Sequence, residues 1–307
     1  MCSPDGNQIM QWVRKQTVDL AQKKLFRKAI AITLIGNILL AITKALVAYL
    51  SGSVAVYADA ANSVSDVIYS IMLAWGLWVS QQPADHNHPQ GHLRFEPIVG
   101  MLVTFSMAFA GFEAARVAIT RLFAGGMAIA PGLPTIVLLV SAFVKLLMFL
   151  YVRKIARSLH SPALRSVSRD NLADVAASAA AFLGAGLSSF VHPLLDPLGG
   201  LLVSAWIFKN AYDAGRENFA HLTGAGTSKE QCEHFVAIAR AVAGVDDVHH
   251  LMTEYVGPKL VLDMHVNVDG HLTLNESHAI ADQVIEALES LPDVDRAYVH
   301  VEPNGWQ

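Results

Sequence analysis

Asn62-x-x-x-Asp66 and Asp170-x-x-x-Asp174 are the residues of this 307-residue chain best placed to do chemistry, and each pair lies inside an apolar segment of membrane length. Residues four apart share one face of an α-helix, so each pair can aim its oxygens at one spot. Carboxylates at bilayer depth are costly and normally face a bundle interior, where they mark an ion or substrate path. Three carboxylates and one amide carbonyl make an all-oxygen donor set with a formal charge of −3 when all are ionised. Such a set suits a hard or borderline divalent cation. The plain alternative is that these side chains only hydrogen-bond between helices, which fits Asn62 alone better than three aspartates in matched spacings. Asp59, one turn before Asn62, either lines the access route or bonds to a neighbour near the membrane surface.

The elements that must carry these residues are apolar blocks. The chain is 53% hydrophobic and 16% charged, with mean hydropathy +0.39, too apolar for an ordinary soluble protein. Six spans are expected at roughly 29–50, 54–80, 96–122, 131–152, 168–191 and 197–213, with a short turn at His192-Pro193. The first is too long in its apolar run for a signal peptide. Arg14, Lys15, Lys23, Lys24, Arg27 and Lys28 precede the first span, and Arg153, Lys154, Arg157, Arg165 and Arg169 cluster between the fourth and fifth. The positive-inside rule then places the N-terminus, the 80–94 loop and the C-terminus in the cytoplasm. Cys2 and Cys232 are the only cysteines, which leaves neither a disulfide framework nor a thiolate metal site.

From about residue 227 the composition becomes that of a soluble domain. Phe235, Ile238, Ala239 and Val242 have helical spacing, Leu251–Tyr255 and Leu260–Asn267 alternate like strands around Val256-Gly257-Pro258, Glu276–Leu288 is helical again, and Ala297–Val301 reads as a last strand. The expected fold class is an α-helical polytopic membrane protein with six transmembrane helices and a C-terminal cytoplasmic α+β domain. That domain has the order α-β-β-α-β, ferredoxin-like or metallochaperone-like. The divisions are 1–28 as a cytoplasmic N-terminal segment, 29–213 as the transmembrane domain, 214–227 as linker and 228–307 as the cytoplasmic domain.

Tyr57-Ala-Asp-Ala-Ala-Asn-Ser-Val-Ser-Asp66 resembles the second-helix signature of the cation diffusion facilitator family, and Arg169-Asp-Asn-Leu-Ala-Asp174 resembles its fifth-helix signature. With six spans and an α-β-β-α-β domain, the likeness covers nearly the whole chain. The resemblance implies a homodimer that exchanges cytoplasmic metal for protons through a tetrahedral site of Asn62, Asp66, Asp170 and Asp174. Zinc-preferring members typically have His or Asp where this chain has Asn62, and His where it has Asp170; the set here is similar to that of the manganese branch. Ligand chemistry points the same way, since imidazole favours zinc and oxygens suit manganese. Iron and zinc remain the alternatives, and the expectation is a transported Mn²⁺ with no permanently bound cofactor.

Asp85-His-Asn-His88-Pro-Gln-Gly-His92 resembles the family's peripheral metal site, with Asp85, His88 and His92 on the matching positions and His86 as a spare donor. The same stretch also reads as a solvated turn built on Pro83, Pro89 and Gly91. Seven of the thirteen histidines fall in 228–307. By resemblance, His249, His265, His278 and His300, with Glu302, bind a regulatory divalent metal between protomers, while His234, His250 and His271 default to surface positions. Arg94 matches a basic family position whose acidic partner follows the sixth span, but His221-Leu-Thr-Gly-Ala-Gly226 has no carboxylate and its glycines suggest a hinge.

These features exclude other classes. No His-Glu-x-x-His helix supports a membrane metallohydrolase, so the chain is not expected to be an enzyme. There is no phosphate-cradling glycine loop and no nucleic-acid footprint. A membrane-anchored metal sensor would not need three intramembrane aspartates, and a channel would show flux uncoupled from protons. The partners expected are a second copy of the chain, the lipid bilayer, divalent cations and protons, and the location is a cell membrane of bacterial inner-membrane type.

Overall fold

The computed structural model describes residues 20–51, 54–124, 133–190 and 194–305. Six long helices come first: α1 (Leu20–Ser51), α2 (Val54–Ser80), α3 (Phe95–Phe123), α4 (Leu133–Ser158), α5 (Pro162–Phe190) and α6 (Leu195–Leu222). Each has 26–32 residues, about 40 Å or more at 1.5 Å per residue. The expected turn at His192-Pro193 lies outside the described residues. So do the charges at Arg14 and Lys15. Among the described residues, two stretches, Ala21–Val47 and Phe95–Phe123, are long and apolar enough throughout to cross a membrane.

The distribution of side chains is that of a bundle in an apolar solvent. Leu39, Trp75, Phe105, Phe143 and Tyr212 are more than half exposed on its outside. Thr33, Asn37, Ser70, Lys145, Asn171 and Asn218 are buried inside. Polar groups gathered inward under an apolar exterior reverse the soluble pattern and mark the membrane domain.

Helices α4, α5 and α6 run beyond the apolar stretches that hydropathy picks out. Helix α5 starts at Pro162 rather than near 168, because Ser161 caps it: Leu164 N–H donates to Ser161 Oγ at 3.0 Å. Serine at the cap with proline at the first helical position is a strong start signal that carries no hydropathy. The last turns of α4 hold Arg153, Lys154 and Arg157, and the first turns of α5 hold Arg165 and Arg169. The expected sixth span, 197–213, continues as helix to Leu222. Glu217 is therefore helical, and it pairs with Arg165 Nε at 3.0 Å and Arg169 Nη1 at 2.7 Å, tying α6 to α5 one residue before Asp170. Asn218 Nδ2 adds a 2.7 Å bond to Ser166 Oγ.

Two compact units divide at Asn218/Phe219. In the second, α7 (Lys229–Arg240) and α8 (Leu274–Glu289) cover one face of a sheet of β1 (Asp247–Val256), β2 (Lys259–Val268) and β3 (Val294–Pro303). The order α-β-β-α-β is the one read from the periodicities. Strand β2 is central, antiparallel to β1 and parallel to β3. Leu260, Leu262, Met264 and Val266 alternate toward the core, where Phe235, Val284 and Leu288 meet them. Ser228 caps α7, and Thr273 with Glu276 forms a capping box at α8.

The glycines after α6 lie inside the second unit and are fixed to it rather than forming a free hinge there. Gly224 has φ +69°, and Ala225 N–H donates back to Ala220 O at 2.9 Å, which terminates the helix with a left-handed residue. Ala225 O then accepts from Tyr255 N–H at 3.1 Å, and Thr227 N–H donates to Thr253 Oγ1 at 3.0 Å, fixing this segment to β1. A Cβ on Gly224 would also lie 2.8 Å from Glu254 Cγ. Gly224→Ala is therefore expected to cost about 1–2 kcal/mol in the second unit. A urea midpoint equal to the parent's would contradict this cap.

Candidate functional site

Inside the bundle, Asp66 of α2 and Asp174 of α5 converge on one atom. Lys145 Nζ, from α4, lies 3.1 Å from Asp66 Oδ2 and 2.6 Å from Asp174 Oδ2. The lysine side chain is 7% exposed, against 19% and 27% for its two partners. Asp170 belongs to the same electrostatic cluster as this ammonium, and Lys44 of α1 acts on Asp66. Asn62 is on α2 one turn before Asp66, but its side chain, like that of Asp59, lies outside the described residues. The expected oxygen set is thus only partly visible, and its three carboxylates share their space with a cation from the protein.

Lys145 was not singled out by the reading of the sequence, although a signal was there. A lone lysine in the run Leu-Val-Ser-Ala-Phe-Val-Lys145-Leu-Leu is itself an expensive intramembrane charge, and such residues pair with one another. The ammonium therefore offsets part of the formal charge of the aspartates, as does Lys44 toward Asp66.

A small cleft with about 20 Å³ of water-accessible space adjoins the cluster, with Thr33, Asn37, Ser70, Asp66, Asp170 and Asn171 among its lining. Asn37 Nδ2 donates to Ser70 Oγ at 2.7 Å, and that hydroxyl donates to Asp66 O at 2.7 Å. This braces the backbone of α2 where Asp66 projects. Asn37 Oδ1 and Asn171 Nδ2 are buried with no partner among the described residues, so the cleft holds polar capacity that its own walls do not satisfy.

The loop of residues 81–94 gathers Asp85, His88 and His92, whose ligand atoms all lie within 4.8 Å of one another. Asp85 Oδ1 accepts the N–H groups of His88 at 2.7 Å and Asn87 at 2.9 Å, a turn that the spacing Asp-His-Asn-His makes possible. His92 Nδ1 donates to Pro83 O at 3.1 Å, which turns Nε2 toward Asp85 Oδ2, 3.6 Å away. A lone pair facing a carboxylate is unfavourable unless a proton or a metal ion lies between them. His86 is exposed and outside the group.

The N–H of His88, helped by that of Asn87, holds the Asp85 carboxyl below the usual carboxylate range. A lowered folded-state value means the turn's stabilisation is complete above the unfolded value and fades only as pH falls through the folded one. The His88 amide resonance is therefore expected to keep its hydrogen-bonded shift below pH 4. Loss of that shift above pH 4 would contradict the turn.

In the second unit, His249, His265 and Glu302 form another such group. Glu302 is the hub. Its Oε2 lies 3.2 Å from His249 Nε2, and its Oε1 lies 3.2 Å from His265 Nδ1 and 3.5 Å from His300 Nε2. Register explains the convergence, since β2 and β3 pair His265 with His300 and Asn267 with Glu302. His249 Nδ1 donates to Asn267 Oδ1 at 2.8 Å, leaving Nε2 to face the carboxylate, the same frustrated arrangement as in the loop.

His250, assigned to the surface, packs its ring 4.7 Å from that of His265, because an irregularity between Val248 and His250 breaks the alternation that would otherwise send neighbours to opposite faces. His278, expected among ligands that meet between protomers, stands on α8 with Asp282 at 3.6 Å, outside the group formed within one chain.

Comparison with known proteins decides what scaffold carries these clusters. Residues 30–223 match the cation efflux transmembrane domain, and residues 227–304 match the cation efflux protein cytoplasmic domain. The chain belongs to the cation efflux family. Members similar to it include a transporter of Methanocaldococcus jannaschii described as uncharacterized, 32% identical over 275 residues that make up 90% of this chain and 97% of that one. The uncharacterized transporter YdbO of Bacillus subtilis is 31% identical over 90% of this chain and 95% of its own. The manganese efflux system protein MneS of the same organism is 26% identical over 89% and 93%. The cation efflux family, also called cation diffusion facilitators, consists of transporters rather than enzymes, and this member is a membrane protein that exports divalent metal cations.

Proposed function

We propose that the cation carried is Mn²⁺, moved out of the cytoplasm in exchange for protons through Asn62, Asp66, Asp170 and Asp174. The observation that carries this reading is the donor chemistry. The carboxylates of Asp66, Asp170 and Asp174 share one partly buried cluster, and no histidine stands among them in either spacing. Oxygen-only donors suit manganese better than they suit zinc or copper. The manganese efflux protein MneS, at 26% identity, supports the same choice.

In this reading α1 to α6 are six spans with both termini in the cytoplasm, and the bundle is half of a homodimer in a bacterial inner membrane. The cation enters by the cleft beside Asp66 and Asp170, its water shell passing to Asn37, Ser70 and Asn171. It displaces protons from the carboxylates and leaves on the far side when they are reprotonated. Asp85, His88 and His92 form a peripheral metal site. His249, His265, His300 and Glu302 form a regulatory one that draws two cytoplasmic domains together, each filling the gap between an imidazole lone pair and a carboxylate.

Parallel flux of Mn²⁺, Fe²⁺ and Zn²⁺ into proteoliposomes tests the metal. Mn²⁺ is expected to move fastest at equal concentration. Dominant Zn²⁺ flux would overturn the argument from oxygen ligands while leaving the family intact.

A further inference from the structure

The transport site already holds a cation that belongs to the chain. Lys145 Nζ contacts Oδ2 of Asp66 and Oδ2 of Asp174, oxygens from the two helices that also carry the ligand pairs. A metal ion bonded to both of those oxygens would need the place where the ammonium now lies, since ligand distances to such ions are about 2.0–2.6 Å. The two cations therefore exclude each other from the position between α2 and α5.

Resting on the reading of Asp66, Asp170 and Asp174 as the transport site, we infer that the Lys145 ammonium is a tethered competitor of the transported ion. It occupies the carboxylates when no metal is bound, is displaced when metal arrives, and helps expel the metal by returning. Lysine suits this exchange. Its charge is compact, its four-carbon stem is flexible, and its three donors rotate freely, so it can release two carboxylates without moving α4. Arginine would hold a planar fork and give it up less readily.

Three further observations fit an exchanging role rather than a static strut. The ammonium is almost wholly buried, so in its absence the two carboxylates would face each other with no cation in direct contact with both. The cleft reaches Asp66 and Asp170 but its lining does not include Lys145 or Asp174. An incoming cation thus meets two carboxylates before it meets the ammonium that it must displace. Finally, the ammonium also acts on Asp170, so once displaced from Asp66 and Asp174 it stays within reach of a third carboxylate.

The competition predicts a split between affinity and rate. Without the competitor, metal binds more tightly and leaves more slowly. In proteoliposomes, Lys145→Met is expected to lower the Mn²⁺ concentration for half-maximal flux by about tenfold, equivalent to about 1.4 kcal/mol, and to lower the maximal rate as well. Lys145→Arg, which keeps the charge, is expected to bring half-saturation back toward the parent value. A Lys145→Met transporter with parental half-saturation, or with a higher one, would overturn the proposal. So would a Lys145→Arg protein with the same tight half-saturation as Lys145→Met. If Lys145→Met does not fold, Lys145→Gln keeps a polar chain of similar girth without the charge and is judged by the same criteria.

Asp174→Asn in the same assay separates this inference from the reading beneath it. Lost flux in Asp174→Asn beside parental behaviour in Lys145→Met would end the competitor proposal alone. Parental flux in Asp174→Asn would remove the transport-site reading and the competitor proposal with it.

Discussion

Asp66→Ala is expected to reduce metal flux by roughly 100-fold to 1,000-fold, with the protein still folded and still in the membrane. Removing one partner from a buried cluster of charges costs about 3–5 kcal/mol, because what remains is uncompensated, and each 1.4 kcal/mol is about a factor of ten. Here the loss acts twice. The cation loses one of its carboxylates, and Lys145 keeps only Asp174 as a direct partner. Asp174→Ala is expected to match it. In the proposed site Asn62 contributes a neutral oxygen rather than a charge, so Asn62→Ala is expected to hurt less and to change the choice of metal more. Initial rates of Mn²⁺ entry into proteoliposomes give the comparison. Asp66→Ala flux within a factor of three of the parent would remove Asp66 from the site.

The second large effect is expected in the cytoplasmic domain. Glu302→Ala removes the carboxylate that lies within 3.5 Å of a nitrogen on each of His249, His265 and His300. Metal affinity of that group is expected to fall by at least about tenfold, as it does when partners of a metal-binding imidazole are lost. Replacing His249, His265 and His300 together with alanine is expected to remove binding there entirely. If the domain regulates, either change shifts the metal concentration at which flux turns on and leaves the maximal rate standing. Loss of all flux in a variant that still dimerises would mean that the domain is part of the transport step itself.

Sequence patterns located these clusters unevenly, and for identifiable reasons. The i, i+4 spacing put Asp170 and Asp174 on one face of α5, because helical periodicity is a local property, and the resemblance of the two helix signatures joined them to Asp66. Lys145 is on a third helix, seventy-nine positions from Asp66, and no spacing rule joins them. Its only trace was its own cost in an apolar run. The end of α4, the start of α5 and the end of α6 escaped hydropathy because those turns are charged, though Ser161-Pro162 announced the start of α5. Glu217 was passed over for the same reason, and with it the anchor for Arg165 and Arg169.

In the second unit the alternation of β2 was plain, since Leu260, Leu262, Met264 and Val266 all point inward. What alternation could not give was the irregularity at Val248/His250, which brings two consecutive histidines to the same ring. Nor could it reveal the parallel register that sets His300 beside His265. Asp85, His88 and His92 were legible as a set because their turn is local and is held by backbone N–H groups only two and three residues away.

The central claim is that the three intramembrane aspartates carry a divalent cation in exchange for protons. Simultaneous recording of Mn²⁺ entry and lumenal pH in proteoliposomes holding the full chain tests it most directly. The account predicts that Mn²⁺ entry drives protons out, that an imposed pH gradient alone drives Mn²⁺ uphill, and that Asp66→Ala loses both together. Mn²⁺ entry with no change in lumenal pH, unaffected by the gradient, would contradict it and would make the bundle a channel.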